Sequence, residues 1–105
     1  MNKCVFYGKL ASDPVLKEIN GTHVVNFSIG IKDTWKNAAG EESERFDYAD
    51  FELWDSGAVK FCEKAKKDDF LLVDASFRVQ KWVDDEQNTR RKILFRVNKF
   101  EIMKK

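Results

Sequence analysis

The sequence predicts an all-β domain, a five-stranded Greek-key barrel with one short helix between its third and fourth strands. Two observations favour this fold class. Several long stretches alternate between apolar and polar residues, which is typical of strands with one buried face, and only one stretch has helical spacing. The chain has 105 residues, of which 43% are hydrophobic and 35% charged. This size suits one domain, residues 1–105, with a single core.

The first predicted strand, from Lys3 to Leu10, is apolar on both sides. Val5 and Tyr7 share one face, and Cys4, Phe6 and Leu10 share the other. A strand without a polar face needs a cover on each side. We therefore expect one face in the core and the other under a partner subunit.

The second strand is predicted from His23 to Asp33. Its inward residues alternate with polar residues and glycine: Val25, Phe27, Ile29 and Ile31. An Asn20-Gly21 turn precedes this strand, and a polar loop, KNAAGEESE, follows it. The loop leads into a third strand that ends at Trp54.

One short helix is predicted in the segment DSGAVKFCEKAKK. Asp55 or Ser56 can cap its first turn. Its apolar residues recur at spacings of three and four, as on the buried side of a helix: Ala58, Val59, Phe61, Cys62 and Ala65.

The last two strands form a predicted hairpin around the turn DDEQN. The fourth strand, residues 70 to 82, is expected to bury Leu71, Val73, Ala75, Phe77 and Val79 and to expose Asp74, Ser76, Arg78, Gln80 and Trp82. The fifth strand, Lys92 to Ile102, carries Ile93, Phe95 and Val97 on one face and Leu94 and Phe100 on the other. The resulting order, three strands, a helix and two strands, is that of the OB-fold. A five-stranded sandwich with a lid helix fits the same pattern.

Aromatic residues are unusually placed for a protein core. In the third strand, Tyr48 and Trp54 alternate with Asp47, Ala49, Phe51 and Leu53 and share their side with Asp50 and Glu52, which cannot be buried without partners. Trp35 is expected to open the loop after the second strand, near Lys32 and Lys36, and Trp82 shares its face with Arg78.

All three tryptophans are therefore predicted at the surface or its rim, together with Tyr48. Any one of them could instead be covered by a loop, the helix or a second subunit. Exposed rings beside lysine and arginine suit unpaired nucleobases, because the bases stack on the rings while the cations meet the phosphates.

The chain also resembles a known family. The segments NKCVFYGKLASDP, NGTHVVNFSIGI and RVQKWVDDEQNTRRK, with Trp35, Trp54 and the KK pair before the fourth strand, are similar in order and spacing to bacterial single-stranded DNA-binding proteins. The resemblance implies a role in DNA replication, recombination or repair. It implies that Trp35, Tyr48, Trp54 and Trp82 stack bases and that Lys67 and Lys81 lie near the DNA. It also implies a homotetramer, or a dimer on the way to it, through the first strand.

The sequence departs from the family pattern in several places. Asp50 and Glu52 are acidic where relatives are basic or neutral, and Ser56 stands where a lysine is usual. We expect these carboxylates to repel phosphates and to lower the affinity. The sequence ends at FEIMKK, without the long disordered tail and acidic tip through which the family recruits replication and repair enzymes. We expect either a truncated chain or a protein that works without that tail.

Other chemistry has little support in the sequence. His23 is the only histidine, and Asp84, Asp85 and Glu86 are expected in a solvated turn, so no catalytic or metal site is predicted. Cys4 and Cys62 have no metal-ligand spacing and are expected as buried free thiols rather than a disulfide. No cofactor is expected.

The starting segment resembles neither a signal peptide nor a membrane span, so we expect a cytoplasmic, nucleoid-associated protein of bacterial, phage or plasmid origin. Two other functions remain open. One is a primosome-type accessory OB protein that bridges replication proteins, and the other is a structural oligomer with weakened DNA binding.

Overall fold

The computed structural model describes residues 1–103. Its elements are β1 (Cys4–Leu10), β2 (Lys17–Ile19), β3 (Thr22–Lys36), β4 (Glu42–Trp54), α1 (Asp55–Lys64), β5 (Phe70–Val83) and β6 (Thr89–Met103). No helix within residues 1–103 has the length and apolar character of a membrane span.

The strands form one sheet in the order β1-β5-β6-β4-β3-β2, which closes because β1 also pairs with β3. The closing contact joins Lys9 to Gly30 and Leu10 to Ile29. Strands β4 and β6 run parallel, and the other pairs are antiparallel. The closed ring of β1, β5, β6, β4 and β3 confirms the predicted OB-fold. The helix lies between β4 and β5, which are the third and fourth strands of this ring.

Strand β2 lies outside the ring and was not predicted. Asn20 and Gly21 have φ angles of 51° and 79°, the left-handed pair that a tight two-residue hairpin turn requires. The Asn-Gly signal was therefore correct for a turn, but the strand before it has only three residues, all exposed. So short an exposed strand has no periodic pattern to detect.

The core is built largely from stacked and edge-on phenylalanine rings. The ring centroids of Phe27 lie 5.3 Å from Phe51 and 4.3 Å from Phe61. Helix α1 contributes Phe61 and Ala58, both fully buried. The expected helix cap is wrong, since Trp54 occupies the capping position and no side chain caps the first turn.

Two hairpins extend beyond the barrel, and this corrects part of the predicted core. Phe77 and Val79 were expected to be inward but are 43% and 42% exposed. Ile93, predicted on the same face as Phe95 and Val97, is 58% exposed. Strand β1 begins at Cys4, opposite Ala75, and β4 pairs with β6 only near Phe95. The parts of β5 and β6 between these positions and their connecting turn therefore have no other strand beside them. The alternation of side chains continues along both strands of this hairpin, but the side that would be buried in the barrel has no core to pack against.

A β-bulge explains why the last strand carries apolar residues on both parities. Asp74 pairs with Lys99 and Ala75 pairs with Val97, so Asn98 is an extra residue without a partner in the ladder. The extra residue shifts the alternation by one. Val97 and Phe100 therefore both face the core.

Both cysteines are free thiols, as predicted, but they are half-buried rather than buried. Burial raises the pKa of the Cys62 thiol. The protonated form is therefore favoured there, and reaction as a thiolate is disfavoured.

Candidate nucleic-acid interface

The predicted aromatic residues lie mainly on the side of the sheet that faces away from the core. We call this side of β3, β4, β6 and β5 the outer face. Its cross-strand pairs are Gly30–Tyr48, Ser28–Asp50, Asn26–Glu52, Glu52–Arg96, Arg78–Leu94, Gln80–Lys92 and Trp82–Arg90. The outer face is continuous because β4 and β6 are neighbours in the closed barrel.

Tyr48 is the most exposed of the predicted stacking residues, at 67%. Its ring lies over Gly30, because a methyl group added to that glycine would come 2.9 Å from Tyr48 Cε1. Only a glycine leaves room for the ring to lie against the strand in this way. The free side of the ring faces outward, as base stacking requires.

A groove of about 660 Å³ beside Tyr48 brings several predicted residues together. It is lined by Tyr48 and Lys32 from the barrel strands and by Lys67 from the segment after α1. Two further members of the groove, Phe46 and Lys9, were not predicted as site residues. Phe46 shares the parity of Tyr48 in β4 and could have been found from that alternation, whereas Lys9 arrives only through the closure of β1 onto β3.

Trp54 lies deeper than the predicted surface position. It is half-buried, and its indole Nε1 is buried without a hydrogen-bond partner among the described residues. The guanidinium carbon of Arg96 lies 5.9 Å from the ring centre. Trp54 lines a depression of about 500 Å³ together with Asn26 and Gln80. Part of the ring therefore remains accessible from this depression.

The β5–β6 hairpin places Arg78 and Trp82 on the outer face and Lys81 on the opposite one. Trp82 is 44% exposed and pairs with Arg90. Lys81 alternates with Trp82 and pairs with Arg91, so its side chain leaves the other side of the hairpin. The three residues belong to one hairpin but not to one face.

Trp35 lies within β3 rather than at the start of a loop, which corrects the predicted loop. It pairs with Ser43, and the connection between the strands is only residues 37–41. Trp35 is 49% exposed and has the parity of the core residue Ile29. The side chains of Trp35 and Tyr48 therefore leave opposite faces of the sheet. Lys36, at the end of β3, lies on the outer face.

The carboxylates of Asp50 and Glu52 are paired with cations rather than free. Asp50 accepts a hydrogen bond of 2.7 Å from Ser28 and lies 3.5 Å from Lys92 Nζ. Glu52 accepts a hydrogen bond of 2.8 Å from Arg96 Nε. The expectation of two unpaired carboxylates beside the phosphates is therefore wrong. The partners Lys92 and Arg96 lie on β6, and the parallel pairing of β4 with β6 is not apparent from the sequence.

The turn after β5 is held by Asp84. Its carboxylate accepts a hydrogen bond of 2.8 Å from Arg90 and further bonds from the backbone amides of Asn88 and Glu86. These bonds, with Arg90 first, hold the pKa of Asp84 below its usual value. Residues 1–103 contain no group of three or more histidine, cysteine or acidic side chains placed to hold a metal ion.

The fold and the outer face together describe an OB barrel that presents aromatic and basic side chains, a class of nucleic-acid-binding protein. The family model described as the single-strand binding protein family matches residues 1–103, so the chain belongs to that family. The resemblance seen in the sequence is confirmed.

Individual relatives are distant in sequence but close in fold. Single-stranded DNA-binding protein 2 of Chlorobaculum tepidum is 24% identical over 107 residues, which cover 100% of this chain and 72% of the relative. The Plasmodium falciparum SSB in complex with ssDNA has a TM-score of 0.82 at 21% identity, covering 98% of this chain and 93% of that one. A deletion mutant of the Thermus aquaticus single-stranded DNA-binding protein has a TM-score of 0.86 at 16% identity, covering 99% and 51%.

Proposed function

We propose that this protein binds single-stranded DNA without sequence preference, with residues 1–105 acting as one binding domain. Bases stack on Trp35, Tyr48, Trp54 and Trp82, and phosphates contact Lys32, Lys36, Lys67, Arg78 and Lys81. One observation carries the proposal. Exposed Tyr48 shares a groove with Lys67 and Lys32, which places cations that can meet phosphates beside a stacking platform. Lys32 lies 3.1 Å from Glu44, and because both side chains are more than half exposed, this ion pair can open to admit a phosphate.

Membership of the single-strand binding protein family supports this ligand. The outer face supplies a direct path from the groove beside Tyr48, past Trp54, to Arg78 and Trp82. Trp35 and Lys81 lie off this path by parity. Their participation requires the DNA to bend around the edges of the two hairpins, as a flexible single strand can.

We further propose a homo-oligomer, a tetramer or a dimer, assembled through β1. Val5 and Tyr7 are 61% and 53% exposed on the side of β1 away from the core. Beyond Lys9 and Leu10, β1 has only β5 as a partner within the described residues, so its other edge can accept a strand. Burial of these two side chains would favour association.

The proposed role is that of a binding module rather than an enzyme, acting on DNA during replication, recombination or repair. We place it in the cytoplasm of a bacterium, or in a phage or plasmid system. Base stacking and phosphate pairing need no cofactor, and none is proposed.

Titration with oligo(dT), followed by tryptophan fluorescence, tests the proposal. Saturating oligonucleotide should quench the emission, and Trp82→Ala should weaken binding by about 1–3 kcal/mol because one base loses its platform. Arg78→Ala should reduce the slope of log K against log salt by about 0.7, the amount expected for one phosphate contact on a single strand. Lys60→Ala, an exposed substitution on α1, serves as the control and should change neither value.

Unchanged emission and no measurable affinity at low salt would contradict DNA binding. That result would favour the structural oligomer or the bridging accessory protein. Sedimentation of the same samples reports the oligomeric state independently of DNA.

A further inference from the structure

The centre of the outer face carries two ion pairs that join β4 to β6. Lys92 Nζ lies 3.5 Å from Asp50 Oδ2, and Arg96 Nε lies 2.8 Å from Glu52 Oε1. Both carboxylates lie in β4 between Tyr48 and Trp54. The pairs therefore occupy the middle of the path proposed for the nucleic acid.

Additional contacts hold these pairs in place. Ser28 donates a hydrogen bond to the second oxygen of Asp50. The Glu52 side chain is only 16% exposed, and the guanidinium of Arg96 also lies over the ring of Trp54. By contrast, Arg78 forms no ion pair within residues 1–103, although it lies on the same face, so its charge is free to meet a phosphate. Lys32, in the groove beside Tyr48, lies 3.1 Å from Glu44, but both side chains are more than half exposed and, within residues 1–103, no further side-chain hydrogen bond holds Glu44 in place.

We propose, building on the proposed DNA binding, that Asp50 and Glu52 keep Lys92 and Arg96 out of phosphate binding. Nucleic acid then contacts the centre of the outer face through its bases. Its phosphates contact cations only toward the two ends of the path, at the groove beside Tyr48 and at the β5–β6 hairpin.

The two ion pairs act through local charge. A phosphate that approached Arg96 would have to displace a carboxylate fixed on the neighbouring strand, and the displaced carboxylate would then repel it. Salt dependence arises when protein cations replace the counterions condensed on phosphates. A cation already neutralised by its own carboxylate adds little to this exchange. Lys92 and Arg96 should therefore add nothing to the salt dependence of the binding constant in the wild-type protein.

Conversion of the two carboxylates to amides tests the proposal. In Asp50→Asn/Glu52→Gln, the freed Lys92 and Arg96 should each become available to a phosphate. The slope of log K against log salt should steepen by about 1.4, twice the value of 0.7 for one contact on a single strand. Affinity for oligo(dT) should rise on the order of tenfold at 50 mM salt relative to the wild type. Between 50 and 200 mM salt this advantage should shrink by a factor of about seven.

Two control variants separate this explanation from a general change of charge. Glu18→Gln/Glu63→Gln raises the net charge equally but releases no cation, since neither glutamate has an ion-pair partner within residues 1–103. Its slope should stay close to the wild-type value. Asp50→Asn/Lys92→Gln removes one complete pair without changing the net charge, and it too should preserve the wild-type slope.

Three results would overturn the proposal. The first is a slope that the double amide variant leaves unchanged, and the second is an equal steepening in the Glu18 and Glu63 control. The third is a slope about 0.7 shallower after removal of the complete pair, which would show that Lys92 meets a phosphate in the wild-type protein. Thermal melting checks folding, and Asp50→Asn alone, which keeps an acceptor for Ser28, provides a milder variant with half the expected change.

The same titrations distinguish failure of DNA binding from failure of the role assigned to the carboxylates. Wild-type protein without affinity for oligo(dT) at low salt would contradict DNA binding itself. Wild-type binding combined with any of the three overturning results would leave DNA binding in place and remove only the role assigned to the carboxylates.

Discussion

The contact between Gly30 and Tyr48 offers a precise test of how the stacking ring is positioned. A methyl group at Gly30 would lie 2.9 Å from Tyr48 Cε1, 3.4 Å from Cζ and 3.5 Å from Cδ1. The nearest of these distances is about 0.6 Å shorter than an ordinary carbon contact, which is near 3.5 Å or more. In Gly30→Ala the ring must therefore tilt or move outward.

The expected cost falls on binding rather than on folding. Tyr48 is 67% exposed, so its ring has space to move, and alanine loses less backbone entropy than glycine in a strand. Tyr48→Ala should weaken oligo(dT) binding by about 1–3 kcal/mol. Gly30→Ala should lose part of the same energy, up to about 1 kcal/mol, because it disturbs the platform without removing it.

A double-mutant cycle measured by tryptophan fluorescence isolates this effect. In the Tyr48→Ala background, Gly30→Ala should change the affinity by no more than about 0.3–0.5 kcal/mol, since no ring remains to be displaced. Equal losses in both backgrounds would show that Gly30 acts independently of Tyr48. Urea unfolding of each variant checks that stability is unchanged, and a large loss of stability in Gly30→Ala would also refute the reasoning.

Two further predictions concern the barrel closure and the hairpin turn. Gly8→Ala would place a methyl group 2.4 Å from a backbone carbonyl oxygen of β3 and from Ile29 Cγ2, so it should reduce the free energy of unfolding in urea by about 1–3 kcal/mol or more. Gly57→Ala, which meets the side chain of Leu53 at 3.1 Å and no backbone atom outside its own helix within 4 Å, is the control; the small displacement of Leu53 is offset by the better helix propensity of alanine, so it should change the free energy by less than about 1 kcal/mol. Because Arg90 and the turn amides lower the pKa of Asp84, the turn gains stability above the usual aspartate pKa of 3.8 and loses it as pH falls through the lowered value. Protection of the turn amides from hydrogen exchange, measured relative to the intrinsic exchange rate at each pH, should therefore fall under acid in the wild type. Asp84→Asn should remove that acid dependence, whereas an identical dependence in the variant would contradict the assignment.

Much of the barrel could be predicted because its burial pattern is local. Val25, Phe27 and Ile29 alternate with polar residues, and the same alternation in Leu71 and Val73 marks another half-buried strand. The limits of the core could not be predicted in this way. Val79 and Ile93 continue the alternation into a two-stranded hairpin. They are exposed because β1 begins only opposite Ala75 and β4 pairs with β6 only near Phe95, so no core lies beneath them.

The features of the candidate site also differ in whether they depend on local or on long-range structure. Exposure of Tyr48 and Trp82 follows from alternation within a strand, and the sequence was sufficient to predict it. The partners of Asp50 and Glu52 depend on the parallel pairing of β4 with β6, which involves residues more than 40 positions apart. Long-range pairing of this kind leaves no periodic signal, so the carboxylates could not be distinguished from free ones.

The two parts of the outer face should respond differently to salt, and this has a consequence for how the protein holds DNA. Stacking on Tyr48 and Trp54 involves no exchange of counterions, whereas contacts to Arg78 and Lys67 do. With Lys92 and Arg96 held by their carboxylates, a larger share of the binding energy comes from stacking. Affinity should then fall less steeply with salt than the number of lysine and arginine residues on this face would predict. Removal of a stacking ring should lower the affinity by a similar factor at 50 and 200 mM salt, while removal of a free cation should matter mainly at the lower concentration.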